Sequence, residues 1–217
     1  MEKRILCYGD SNTWGAIPRQ DGRYASEVRW TGVLRQELGS GYTIIEEGYC
    51  GRTTVFDDYI EGLLSGIKYF GPCCSSQSPL DLIILMLGTN DLKLHFGVNA
   101  GIIAFGLQRY LDVLQTTNMA GTKPKLLLVS PILIDPSYKE HPLHLSLFGE
   151  QGTERSQELA PAYREFAQKS DSFFFDAALY AQASKKDGLH MEPDSHQKLG
   201  IALAQKIKEI FKQEVFT

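Results

Sequence analysis

Three separated stretches of this chain carry side chains suited to acyl chemistry. The first is a serine, Ser11, placed where an apolar run, Ile5-Leu6-Cys7-Tyr8, stops abruptly at Gly9-Asp10. The second is the turn Gly88-Thr89-Asn90-Asp91, which follows another apolar run. The third is Asp187-Gly188-Leu189-His190, where a carboxylate and an imidazole three residues apart can meet across a single turn. A serine hydroxyl is a poor nucleophile until a base takes its proton, and a carboxylate on the base's far nitrogen holds the reactive tautomer. Each piece alone has a plainer reading. Ser11 suits a helix N-cap, Asn90 suits a turn, and Gly48 and Gly51 are ordinary turn glycines.

The other histidines fit the role of base less well. His95 lies five residues beyond Asn90, and His196 is expected on the exposed first turn of a final helix. His141 and His144 flank Pro142-Leu143, where the proline is expected to spoil a helical register, so no metal site is expected from the pair. His190 is the favoured base.

Bringing residues 11, 90 and 190 together requires particular elements. Apolar runs at residues 4–8, 42–46, 82–87, 125–129 and 172–175 alternate with segments long enough for crossover helices. LIILML and KLLLVS are nearly continuous in apolar residues, as strands covered on both faces of a parallel sheet are. Residues 99–117 place Ile103, Leu107, Tyr110, Leu111 and Leu114 on one helical stripe. Leu199, Leu203, Ile207 and Ile210 form another, with Pro193 suited to its first turn. A shorter helix is expected over 158–168, beginning nearer Thr153. This alternation predicts one doubly wound α/β domain over residues 1–217, with right-handed crossovers.

Ligands of open parallel sheets bind beyond the carboxyl ends of the strands. The five runs end on Gly9-Asp10-Ser11, Gly48 to Arg52, Gly88 to Asp91, Ser130-Pro131 and Asp176, and all five are expected to converge on one rim. Ser11 would then stand at a helix N-terminus, where free N–H groups favour developing negative charge. Residues 13–29 and 135–152 read as long irregular connections, which suits a lid or an interface.

Bulk properties narrow the setting. With 217 residues, 43% hydrophobic and 22% charged, the composition is that of an ordinary globular protein. A net charge of −4 weighs against nucleic acid or an anionic membrane as the main partner. The N-terminal apolar run is too short for a signal-peptide core, and no stretch approaches the ~20 apolar residues of a spanning helix. Cys7, Cys50, Cys73 and Cys74 have no C-x-x-C spacing and are read as reduced thiols of a cytoplasmic protein.

GDSN at Ser11, EGYCGRTT, GTND at Asn90 and DGLH resemble, in order, the four blocks of the SGNH or GDSL hydrolases, and the resemblance runs across essentially the whole chain. RILCYGDSNTWG, VRWTGVLRQELG, IIEEGYCGRTT and DLIILMLGTND are most similar to the bacterial arylesterase/acyltransferase branch. The resemblance implies a flavodoxin-like, three-layer α/β/α fold around a five-stranded parallel sheet. It implies a serine esterase for short, acetyl-like esters, with acyl transfer to alcohols as a further capacity. Ser11 resembles the nucleophile, His190 the general base and then acid, and Asp187 its orienting carboxylate. The oxyanion hole would use the backbone N–H of Ser11, that of Gly51 and the side-chain amide of Asn90. Asp10, Asn12 and Trp14 are the expected substrate contacts. A small-molecule ester, a homo-oligomer and neither cofactor nor metal complete what is implied.

Two departures stand out. Asn12 replaces the family's usual leucine, which is expected to affect local packing more than chemistry. Cys50-Gly51 stands where other small residues are common, and a glycine holds an N–H donor less firmly. Asp10 is expected to brace the turn through backbone hydrogen bonds, outside the triad. Trp14 with Pro131, Ile132, Leu133, Leu145, Leu147 and Phe148 is expected either to line an apolar mouth or to pack the core or a subunit contact. Two rival readings stay open. One is a carbohydrate O-deacetylase using Tyr24, Trp30 and Tyr138 as exposed aromatics. The other is a non-catalytic binding module, for a ligand such as phosphate, which leaves the Asp187/His190 pairing unexplained.

Overall fold

Five strands form one parallel sheet in the computed structural model, which describes residues 2–62 and 65–212. They are β1 (Lys3–Gly9), β2 (Tyr42–Gly48), β3 (Leu82–Met86), β4 (Lys125–Ser130) and β5 (Phe173–Asp176), in the order β2-β1-β3-β4-β5. The chain leaves β1 for β2 on one side and then crosses to β3 on the other. This reversal opens a crevice at the carboxyl end of β1. The register lines up the strand ends that matter, with Gly9 beside Gly48 on one side and Met86 on the other.

Nine helices surround the sheet among the described residues: α1 (Ser11–Trp14), α2 (Trp30–Leu38), α3 (Gly66–Gln77), α4 (Ala100–Gly106), α5 (Gln108–Thr116), α6 (Pro142–Phe148), α7 (Gly152–Gln157), α8 (Leu159–Lys169) and α9 (Pro193–Lys212). The two-residue period of the strands divides the core into two layers. Ile5, Cys7, Ile84 and Val129 face Trp30 and Leu34 of α2 and Leu199, Leu203 and Ile207 of α9. Leu6, Tyr8, Leu85 and Leu128 face Phe70 of α3, Ile103 of α4, Tyr110 of α5 and Tyr163 of α8. This is the three-layer α/β/α arrangement, and every residue of β3 is buried, as a central strand covered on both faces must be. Each such aliphatic side chain contributes about 1.5–3 kcal/mol of burial.

Several elements differ from the sequence expectation. The helix expected over 99–117 breaks between α4 and α5, and Leu111 and Leu114 of its stripe are only half-buried. At the break, Gly106 lies so close to Val55 that a Cβ would come within 2.8 Å of its Cγ2. The helix expected over 158–168 is α8, with α7 as a separate turn before it. Residues 135–152 are not irregular. Asp135 caps a 3-10 turn over Pro136–Glu140, and Pro142 begins α6. Proline at a first helical position loses no hydrogen bond, so Pro142 starts the helical register it was expected to spoil. Of residues 13–29, only the end of α1 is helical, and an isolated bridge between Ala16 and Arg23 ties the rest.

His196 is the clearest correction. It is fully buried, its Nδ1 accepts the Trp30 N–H at 3.3 Å, and the Tyr24 ring meets it edge-on at 5.5 Å. The first turn of α9 therefore tucks Ser195 and His196 inside, while Pro193 and Asp194 face solvent. Among the described residues, no helix is long and apolar enough to cross a membrane.

Burial, reinforced by the positive charge of Arg29, lowers the His196 pKa to about 4. In the unfolded chain an imidazole protonates near ~6.5. Between these values the unfolded state binds more protons, so stability rises with pH over that window, by roughly 3 kcal/mol in full. His196→Asn keeps an acceptor for Trp30 and removes the titration. Urea unfolding at pH 4.5 and 7.5 should show a smaller pH-dependent change in this variant than in the parent. Equal changes would place the titration elsewhere.

Candidate active site

The turn that carries Ser11 follows from three local features. Asp10 caps α1, its Oδ1 accepting the Asn12 N–H at 3.0 Å. Gly15 ends the helix after four residues in a left-handed conformation, with φ of 89°. Gly48 lets α1 lie directly on the end of β2, since a Cβ there would fall 2.1 Å from the Trp14 nitrogen. Ser11 is thereby the first residue of α1, half-buried at the crevice.

The loop before α9 brings His190 to Ser11. His190 Nε2 lies 2.9 Å from Ser11 Oγ, across a sequence separation of 179 residues. His190 Nδ1 lies 2.7 Å from Asp187 Oδ2, so the ring nitrogen on that side donates to the carboxylate. Asp187 Oδ1 accepts the backbone N–H groups of Leu189 and His190 at 2.9 and 3.0 Å. Burial pushes the Asp187 carboxyl up, but its hydrogen bonds and the His190 charge outweigh this and hold it below the usual carboxylate range.

This turn is gripped from several sides. Ser184 N–H donates to His190 O, Gly188 N–H to Ser184 O, and Asp135 N–H to Gly188 O. Gly188 adopts φ of 74°, and a Cβ there would sit 2.4 Å from Tyr138 N and 2.6 Å from Asp135 O. His141 Nε2 and His144 Nδ1 donate to the carbonyls of Lys186 and Asp187 at 2.7 and 3.1 Å. Asn12 donates from Nδ2 to Leu189 O and accepts the Met191 N–H on Oδ1, each at 3.0 Å. The asparagine is thus a hydrogen-bonding element, not the packing change expected of it.

A third segment completes the site. Asp91, fully buried, accepts the Thr54 N–H on both oxygens at 2.9 and 3.0 Å and the Thr54 hydroxyl as well. Burial raises its pKa to about 6. The Asn90 amide donates one N–H to Arg52 O at 3.1 Å, leaving its second for another acceptor. Arg52 in turn donates to Gly9 O at 2.9 Å and to Glu47 O, with its guanidinium 4.1 Å from the centre of the Tyr8 ring. Gly51 has φ of 75°, a backbone suited to glycine. Ser11, Gly51, Asn90 and His190 all line one cleft of about 410 Å³.

Not every expected residue reaches it. Asn12 and Trp14 line the cleft, but Asp10 is only 2% exposed and lies behind the turn, beyond substrate contact. Burial lifts the Asp10 pKa to about 6. The ends of β4 and β5 also stay away, because Ser130 is buried on Asp176 and Asp176 caps Ala178. Leu147 and Phe148 line the cleft, whereas Pro131, Ile132, Leu133 and Leu145 do not. Trp30 and Tyr138 are fully buried, so neither can stack on a sugar, and only Tyr24 of that trio is partly exposed.

Sequence reasoning missed other parts of the wall, including Gln20, Asp21, Glu61, Lys93, Leu143 and His144. Lys93 is 3% exposed and pairs with Asp58 at 3.0 Å and Glu61 at 2.8 Å, while His95 meets Asp58 at 3.1 Å. Nothing local marks that cluster, since Lys93 lies 35 residues from Asp58 and 32 from Glu61. Among the described residues, no group of three or more His, Cys, Asp or Glu is arranged to hold a metal ion.

A five-stranded parallel sheet between two helical layers, with this cleft at its switch point, is the fold of the SGNH hydrolases. Residues 7–198 match the profile of the GDSL-like Lipase/Acylhydrolase family, and the chain belongs to that family as a carboxylic ester hydrolase. This overturns the reading as a non-catalytic binding module. An aryl esterase from M. smegmatis is similar at 40% identity and a TM-score of 0.89, over 95% of this chain and 99% of that one. A carbohydrate acetylesterase from Sinorhizobium meliloti is similar at 37% identity and a TM-score of 0.90, over 96% and 100%. No curated protein sequence is a significant match.

The turn carrying His190 depends on the missing side chain at Gly188. Gly188→Ala combines a left-handed backbone with a clash against backbone atoms, so a stability loss of at least about 1–2 kcal/mol is expected. Esterase activity should fall by more than the folded fraction does. A variant as stable and active as the parent would show that the turn is not so constrained.

Proposed function

We propose that this chain cleaves short, acetyl-like esters through an acyl-Ser11 intermediate. The carrying observation is the unbroken hydrogen-bond path from Ser11 Oγ to His190 Nε2, and from His190 Nδ1 to Asp187 Oδ2, opening on the cleft that Asn90 lines. Ser11 Oγ attacks the ester carbonyl as its proton passes to His190 Nε2. Asp187 stabilises the imidazolium and keeps the ring oriented. The oxyanion is held by the N–H groups of Ser11 and Gly51 and by the free N–H of Asn90. His190 then protonates the departing alcohol, and water activated by the same imidazole releases the acid.

The cleft volume of about 410 Å³ suits a small ester. Leu143, Leu147, Phe148 and Leu189 give part of its wall an apolar surface. Such a wall supports acyl transfer, because an alcohol competes better with water where water is partly excluded. A second reading, a carbohydrate O-deacetylase, is supported by the hydrogen-bonding side chains of Gln20, Asp21 and Glu61 on the same wall. It is also supported by the likeness to a carbohydrate acetylesterase.

Ser11→Ala should remove p-nitrophenyl acetate hydrolysis, by about 10⁶-fold in turnover. Asn90→Ala should lower kcat by about 10²–10³-fold with KM much less changed, as expected for a donor used mainly in the transition state. Purified Ser11→Ala turning over at the parent rate would end this assignment. A panel of acetylated sugars and aryl acetates, with and without added alcohol, separates the two substrate readings.

A further inference from the structure

The geometry points to Asn12 as the positioning residue that holds His190 in register with Ser11. This rests on the Ser11/His190/Asp187 reading above and adds a residue to it. An asparagine amide carries the same donor and acceptor pair as a peptide unit. In this protein it spans residue 190, taking the Met191 N–H on Oδ1 and giving Nδ2–H to Leu189 O. The backbone immediately before and after the base is therefore fixed to a single side chain.

That side chain belongs to the residue next to the nucleophile, on a helix already fixed by the Asp10 cap and the contact with Gly48. Among the described residues, the hydrogen bonds between α1 and residues 187–191 are the Ser11–His190 contact and the two made by Asn12. The remaining grips on the turn come from other segments, at Ser184, Asp135, His141 and His144. They fix the turn to the body of the protein, but they do not measure its distance from Ser11. Asn12 does. The His190 side chain is 22% exposed, so enclosure by neighbours does not locate it alone. Asn12 is itself only 5% exposed, and solvent offers no ready replacement for its two bonds.

A leucine at this position branches at the same carbon but offers neither bond. Proton transfer needs the imidazole within hydrogen-bond reach of the hydroxyl, and displacement by about 1 Å can cost about 10²-fold in rate. His190 serves both the acylation and the deacylation step, so its misplacement slows both and leaves KM little altered.

The test uses Asn12→Ala and Asn12→Leu, which keeps the branching at Cγ, alone and combined with His190→Ala, assayed on p-nitrophenyl acetate beside Ser11→Ala. The expected result is a folded protein by circular dichroism, kcat lower by about 10–100-fold and KM within about threefold. In the His190→Ala background, removing the Asn12 amide should change the residual rate by less than about twofold, because its effect runs through the imidazole. Parental kcat in either folded variant overturns the proposal. So does an undiminished loss in the His190→Ala background, which would make Asn12 a general support of the site. Failure of both variants to fold would assign Asn12 to stability and equally overturn it. If Ser11→Ala or His190→Ala retains the parent rate, it is the triad reading that fails.

Discussion

The 2.9 Å contact between Ser11 Oγ and His190 Nε2 is the constraint to which the rest of the molecule answers. It joins residues at opposite ends of the chain, so it exists only if the sheet, the final crossover and the turn before α9 all fall into place. The sheet supplies the coarse placement. β1 lies between β2 and β3, and its end opens the crevice beside Gly48 and Met86. Two glycines supply the fine placement. Gly48 lets α1 rest on β2, and Gly188 lets the base-bearing turn rest on the segment around Asp135 and Tyr138. A side chain at either would push one half of the contact away from the other.

Three buried carboxylates near this contact show how environment assigns roles to one chemical group. All three are pushed up by burial. Asp187 also receives the His190 ring and two backbone N–H groups, and these hold it below the usual carboxylate range. Asp10 and Asp91 receive hydrogen bonds but no cationic partner in contact, and their pKa values rise to about 6. They act as braces: Asp10 caps the nucleophile helix, and Asp91 pins the Thr54 loop to the Asn90 turn. A fourth carboxylate, Asp58, is also buried, but the Lys93 ammonium and His95 hold it below the usual range. Charge pairing, more than burial alone, separates these cases.

Much of the fold was legible because strands covered on both faces must be apolar throughout. LIILML and KLLLVS declare themselves without tertiary information, and the α9 stripe does so by its helical period. The misread regions are those where contact overrides local signal. The helix over 99–117 breaks at Leu107, next to where Gly106 packs closely on Val55, a residue from a distant segment. Residues 135–152 look irregular for their polar composition, yet the Asp135 cap and Pro142 at the first position of α6 give them helical turns. His196 looks exposed because polar residues surround it in sequence, and Trp30 and Tyr24 bury it.

The sequence by itself determined the chemistry on offer. It set a serine after a strand, an Asp and a His within one turn, and an asparagine on a glycine-containing corner, because these depend only on residue type and short spacing. It also determined the alternation of strands and helices, since hydrophobic period is a local property. Only the tertiary structure decided which of these meet. Ser11, Gly51, Asn90 and His190 share the cleft, while Ser130 and Asp176 from the outer strands do not. It alone paired Lys93 with Asp58 and Glu61, and tied the Asn12 side chain to the backbone on either side of His190. The reason is physical: a hydrogen bond or ion pair between distant positions depends on backbone placement to within a few tenths of an ångström, and no local pattern of residues encodes that distance.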